Sequence, residues 1–180
     1  MSISKNWHLE ITPMASWAMG KKVFIPIVIS ALIFGATLVR VPFYPVPFTL
    51  QTFVLPLICL FSTRKYVLQG LALFTVSRII QSGFGLLLTS GYIMGFFAVA
   101  IILTAKAPPK NNLKLFCKIF GAQIIVLLSG TIVLSMFIGL QRAFLCGFLF
   151  FIAAEVLKTI IIVGFYNLIA ARFKAFPVER

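Results

Sequence analysis

A chain of 180 residues that is 61% hydrophobic and 11% charged, with a mean hydropathy of +1.10, lacks the polar surface that covers a soluble globule. That length fits about six apolar stretches of membrane-crossing size in one integral membrane domain, with no room for a separate soluble domain. The net charge of +13 would suit nucleic acid, but the basic residues gather in the connections between apolar stretches, where anionic lipid is the ordinary partner.

Residues 1–22 read as a basic N-terminal segment, with Trp7 and Trp17 suited to the membrane interface. It has no compact apolar core followed by a small-residue cleavage site, so no removed signal peptide is expected. A first helix is predicted over 23–39, ended by Arg40 and by Pro42, Pro45 and Pro47. On it, Ala31 and Gly35 form a small-xxx-small pair that lets another helix approach closely, either within the bundle or from a partner chain. The following segment is stiff and aromatic, carrying Phe43, Tyr44 and Phe48. Non-helical backbone near membrane depth is tolerated only where protein buries it or it lines a cavity, so the segment reads as a cavity roof or as a tight outer turn. Thr49 is expected to cap the second helix, 49–61, which is short for a crossing. With Gln51 and Thr52 it offers polar groups at a helix N-terminus.

A third helix is predicted over 66–80, carrying Arg78, with Gln81, Ser82 and a glycine-bearing loop at 82–85 after it. The fourth spans 91–104, and Pro108, Pro109 and two asparagines make the longest polar connection. The fifth and sixth, 115–140 and 144–171, are separated by Gln141 and Arg142, and residues 172–180 form a tail. With six crossings, twelve of the sixteen basic residues fall on one side, Arg40, Arg78 and Arg142 on the other, and Lys158 within the membrane. This asymmetry places both termini in the cytoplasm and the proline segment outside.

Cofactor chemistry has little to work with. Cys59, Cys117 and Cys146 are an odd count without CxxC spacing and read as small hydrophobes, and His8 is the single histidine, so no metal site is expected. A phosphate-binding GxxxxGK[ST] loop is missing, so ATP-driven work must come from another chain. No nucleophile–base arrangement and no second carboxylate near Glu155 suggests an enzyme.

Glu155 and Lys158 stand out because each costs roughly 2.5 to 3.5 kcal/mol at the centre of a membrane helix. Three residues apart, they share a helix face. An acceptor-only carboxylate beside a donor-only ammonium matches a small polar ligand with adjacent donors and acceptors, or else forms a self-neutralised pair that fixes helix packing.

Three stretches carry a family resemblance. PVPFTLQT at 45–52 is similar to the hallmark of BioY-type biotin transporter subunits, the substrate-binding S components of energy-coupling-factor vitamin importers. TSGYIMGF at 89–96 resembles that family's TGGYLLGF, and EVLK at 155–158 falls where the family carries Asp-x-x-Lys. The resemblance implies an all-α membrane protein, a six-transmembrane-helix bundle with the proline-rich loop on its outer side between helices 1 and 2. It also implies a bacterial plasma-membrane location, and biotin as ligand, delivered with a membrane coupling subunit and two ATPases. Glu155 would then accept from an N–H of the cyclic urea and Lys158 donate to its carbonyl. Phe43, Tyr44, Phe48 and Tyr92 would wall the rings. Arg78, helped by Gln81 or Ser82, would meet the tail carboxylate, or else anchor the third helix at the interface. The Ala31–Gly35 face would meet the coupling subunit. Glu155 in place of Asp and Ser90 in place of glycine depart from the pattern. Two other readings remain open on sequence: a binding subunit for another vitamin or small heterocycle, and a proton-linked carrier in which Glu155 titrates.

Overall fold

The computed structural model describes residues 13–42, 47–82 and 85–172. These form six helices: α1 (Pro13–Leu38), α2 (Gln51–Phe61), α3 (Arg64–Ser82), α4 (Gly85–Thr104), α5 (Asn112–Ile138) and α6 (Leu140–Arg172). Around the bundle, neighbours follow the order α1, α3, α4, α5, α6, α2, and α2 also packs on α4. Two helices, α5 and α6, are long and apolar enough to cross a bilayer. At 11 residues α2 rises only about 16 Å, against a hydrocarbon core of about 30 Å.

The sides of these helices are reversed relative to a soluble bundle. On α6, Leu149, Phe150, Leu157, Ile160 and Leu168 face outward, while Glu155, Lys158 and Thr159 are buried. An apolar exterior around a polar interior is the arrangement a lipid solvent favours.

Close approach between helices is built on glycines. A Cβ on Gly91 of α4 would come within 2.3 Å of the Ser129 carbonyl oxygen on α5, and one on Gly95 within 2.6 Å of the Val126 Cα. Both therefore let two backbones nearly touch. Gly70 of α3 instead makes room for a side chain, since a Cβ there would come within 2.4 Å of Ile29 Cγ2 on α1.

Several expected boundaries move. The first helix begins at the first described residue, Pro13, well before residue 23, because alanines, methionines and lysines support helix beyond the apolar stretch. The fourth begins at Gly85 rather than residue 91, since a leucine run carries the helix through the expected loop. Helices α5 and α6 part at Gly139, not at Gln141 and Arg142, which lie inside α6. Gly139 has φ 83° and ψ 153°, a conformation nearly confined to glycine, and its N–H closes α5 on the Ser135 carbonyl at 3.0 Å. Gly139→Ala is expected to cost about 1–3 kcal/mol of stability. An unchanged unfolding midpoint in detergent would show that the junction bears no strain.

Between α1 and α2 the chain makes a hairpin. Strand β1 (Arg40–Val41) pairs antiparallel with β2 (Phe48–Thr49), Arg40 opposite Thr49 and Val41 opposite Phe48. The Leu50 N–H donates to the Val39 carbonyl at 3.2 Å and closes its base. Phe43 and Tyr44 fall at 43–46, outside the described residues. The expected cap is corrected here: Leu50, not Thr49, precedes α2, without a side-chain cap. Thr49 is already committed to the ladder, and its hydroxyl donates to Gln51 Oε1 at 3.1 Å.

Candidate functional site

One cavity of about 510 Å³ opens among the hairpin and the helices, within the roughly 300–1,000 Å³ typical of small-molecule sites. Its walls take residues from α1, both hairpin strands and the five other helices. Of the expected ligand residues, Thr49, Gln51, Arg78, Gln81, Tyr92, Glu155 and Lys158 line it. Phe48 instead backs the wall, stacked on Phe151 with ring centroids 5.4 Å apart. Its place in β2 next to Thr49 turns the ring behind the lining rather than into the space.

At the inner end stands the ion pair, about midway along α6. The Lys158 ammonium donates to Glu155 Oε1 at 2.8 Å, Thr52 Oγ1 at 2.7 Å and the Thr49 carbonyl at 3.2 Å. Its three protons are thereby all used. The same ammonium lies 3.9 Å from the Phe48 ring centroid, a cation–π contact. Lys158 thus bolts the hairpin to α6, which is why non-helical backbone reaches the depth of the helix middle.

Glu155 is arranged differently. Its Oε1 accepts from Lys158 and from the Thr52 hydroxyl at 2.7 Å, but Oε2 is buried and has no hydrogen-bond partner among the described residues. The residue is 1% exposed, so water does not serve that oxygen from the surface. A buried carboxylate oxygen left without a donor is expensive, and a ligand N–H would relieve it.

The pair is held from behind by a polar lattice that charge alone did not reveal. Gln123 of α5 donates from Nε2 to the Thr52 carbonyl at 2.8 Å, and its Oε1 lies against the Thr159 hydroxyl. That hydroxyl also reaches the Glu155 carbonyl at 2.7 Å. Gln123, Thr52 and Thr159 therefore lock α2, α5 and α6 around the carboxylate. Gln51 is freer: its Oε1 takes the Thr49 hydroxyl, leaving its amide protons unpaired among the described residues.

Apolar lining comes from Phe74, Ile93, Phe96, Leu127 and Phe151. Three of these were readable from spacing, since Phe74, Phe96 and Phe151 lie four residues from Arg78, Tyr92 and Glu155 and so share their helix faces. The Tyr92 hydroxyl donates to the Gly147 carbonyl at 3.2 Å, in a π-helical turn of α6 at Leu145–Leu149. Such turns interrupt the regular helical ladder and recur at functional sites. The Ala31–Gly35 face lies elsewhere. Ile29, Ile33 and Ala36 turn inward on α1, whereas Ala31 is exposed and a Cβ on Gly35 would meet nothing within 4 Å.

A family model described as the BioY family matches residues 13–175. The chain belongs to the BioY family. It is accordingly a membrane protein of a transporter family. Comparison with curated proteins and with solved structures returned no match. The three stretches that carry the BioY resemblance, far apart in the chain, converge on the one cavity. PVPFTLQT contributes Pro47, Thr49, Gln51 and Thr52; TSGYIMGF contributes Thr89, Tyr92, Ile93 and Phe96; EVLK contributes Glu155 and Lys158.

Proposed function

We propose that this BioY-family chain is the substrate-binding subunit that captures biotin from outside a bacterial cell. On this reading it crosses the plasma membrane six times with both termini in the cytoplasm and the hairpin at the outer side. A separate membrane coupling subunit and two ATPases energise uptake. The Ala31–Gly35 face is where the coupling subunit docks, supported by the exposure of Ala31 and the open space that a Cβ on Gly35 would meet.

The observation that carries the ligand is that Glu155, whose Oε2 is a buried acceptor without a donor among the described residues, lines a cavity of small-molecule size. A cyclic urea supplies N–H groups to it and needs a donor for its own carbonyl. Lys158 has no proton to spare, so the unpaired amide of Gln51 takes that role in place of the ammonium. Tyr92, Phe96 and Phe151 wall the sulfur ring and the aliphatic tail.

Purified protein in detergent is expected to retain biotin over thiamine and lipoate. Glu155→Gln places an N–H donor where the acceptor was, and is expected to weaken biotin binding roughly ten- to a hundredfold. Glu155→Asp keeps the carboxylate and is expected to bind within a few-fold of the parent. Retention of thiamine or lipoate without biotin would overturn the ligand assignment, and undiminished biotin binding by a folded Glu155→Gln variant would overturn the role of Glu155.

A further inference from the structure

Between α1 and α2 lies a second hollow, of about 320 Å³, which shares no lining residue with the ligand cavity. Phe24, Val28 and Leu32 form one wall, four residues apart on a single face of α1, and Leu57, Ile58 and Phe61 of α2 form the other. Ser62 is its one polar lining residue. Phe24, Val28 and Leu32 are exposed, so the groove opens sideways to whatever surrounds the bundle.

The depth of this groove follows from the ion pair. Thr52, in the first turn of α2, accepts from the Lys158 ammonium at 2.7 Å, and Lys158 stands about midway along α6. Helix α2 therefore begins near the bilayer midplane, and its rise of about 16 Å carries it to one face of a hydrocarbon core about 30 Å thick. The α1 wall from Phe24 to Leu32 is about 12 Å long, so the groove occupies a single leaflet. Basic residues stand at its interfacial end: Arg64 and Lys65 just beyond Ser62, and Lys22 two residues before Phe24. All three are exposed, and none of their side chains makes a hydrogen bond or an ion pair with a described residue. The one carboxylate side chain among the described residues, Glu155, is committed to Lys158 and Thr52 in the other cavity.

We propose that this groove binds one anionic phospholipid, with an acyl chain along α1 and α2 and the phosphate among Lys22, Arg64 and Lys65. The apolar walls accept the chain of any lipid, whereas three cations without a protein counterion select the charged headgroup. An apolar helix of a partner chain would cover the same walls but leave those cations unanswered, so the charge favours lipid. Ala31 and Leu32 stand three and four residues from Val28, so the bound chain lies beside the Ala31–Gly35 face of α1. The site does not depend on the biotin reading. Its assignment to the cytoplasmic leaflet rests on the topology proposed above, but the binding itself does not.

Phosphatidylglycerol and phosphatidylcholine of matched chains, titrated onto delipidated full-length protein in detergent and counted by native mass spectrometry, test the site. The first phosphatidylglycerol is expected to bind at least roughly tenfold more tightly than the first phosphatidylcholine. Lys22→Gln, Arg64→Gln and Lys65→Gln combined are expected to abolish that preference. Val28→Trp and Leu32→Trp, two separate ways of filling the groove, are expected to weaken both lipids, while Lys110→Gln with Lys114→Gln, exposed lysines outside the groove, leaves both as in the parent. Equal affinity for the two lipids would overturn the proposal, as would a preference lost as fully in the Lys110 and Lys114 variant, or unchanged phosphatidylglycerol binding in both folded tryptophan variants. Displacement by glycerol phosphate, a headgroup without chains, would also overturn it, in favour of a free phosphate ester. A benzophenone side chain placed at position 57 and illuminated in the intact membrane is expected to link to phospholipid, and linkage to a protein chain alone would give the groove to a partner helix instead. A parent that binds no biotin but keeps the headgroup preference loses the biotin reading alone, and one that binds biotin without the preference loses this site alone.

Discussion

Lys158→Met is expected to destabilise the protein by about 3–5 kcal/mol, the cost of stranding a buried charge once its partner is gone. Glu155 would keep one donor, the Thr52 hydroxyl, for a carboxylate that is 1% exposed. The variant also releases the Thr49 carbonyl and the face of Phe48, so the hairpin loses its bolt to α6. Faster exchange of the Leu50 amide, which closes the hairpin base on Val39, is expected to accompany the loss. Combining Lys158→Met with Glu155→Leu removes both charges, and apolar replacement of a whole buried pair is often neutral or stabilising. The double variant is therefore expected to recover most of the stability and none of the ligand binding. Denaturant unfolding in detergent, read beside biotin retention, separates the two. A single Lys158→Met variant as stable as the parent would show that the ion pair is not what holds the hairpin.

How much of this was legible beforehand follows from the chemistry of each residue. Glu155 and Lys158 were conspicuous because a charge inside an apolar run has few structural uses. Thr52 was legible only as a polar group at a helix N-terminus, and Gln123 and Thr159 not at all, since isolated threonines and glutamines are common along membrane helices and acquire meaning only from what stands opposite. The ligand role first read for Lys158 shows the same limit, because its charge is visible in sequence but the competition for its three protons is not. The hairpin left no alternating pattern to find, as its strands are two residues each beside prolines. Arg40 was read as one of the outer basic residues, and only the pairing of β1 with β2 turns it to the cavity that Arg78 shares. The break before α6 was assigned to Gln141 and Arg142 on polarity, whereas backbone conformation puts it at Gly139.

The second large effect is expected where α4 meets α5, and it tests whether cavity shape depends on helix spacing. Gly130 faces the Tyr92 ring so closely that a Cβ would lie 2.3 Å from one ring carbon and 2.4 Å from two others. The ring cannot retreat easily, because its hydroxyl is bonded to Gly147 and a Cβ on Gly147 would itself come within 2.9 Å of that oxygen. Gly130→Ala is thus expected to destabilise toward the upper end of the roughly 1–3 kcal/mol usual for overpacking, and to weaken ligand binding by displacing a wall residue. Tyr92→Ala alone, which empties a large buried volume, is expected to cost about 3–5 kcal/mol. With the ring absent, the added methyl meets no ring, so the double variant is expected to fall short of the summed losses by about 1–3 kcal/mol. Strict additivity across that double-mutant cycle would mean that Gly130 is not there to seat Tyr92. The coupling matters for function because Tyr92 touches both the cavity and the π-helical turn that precedes Phe151, Glu155 and Lys158 on α6. A shift in the spacing of α4 and α5 therefore reaches the carboxylate through this one side chain, linking the glycines of TSGYIMGF to the position of the acceptor that the ligand must find.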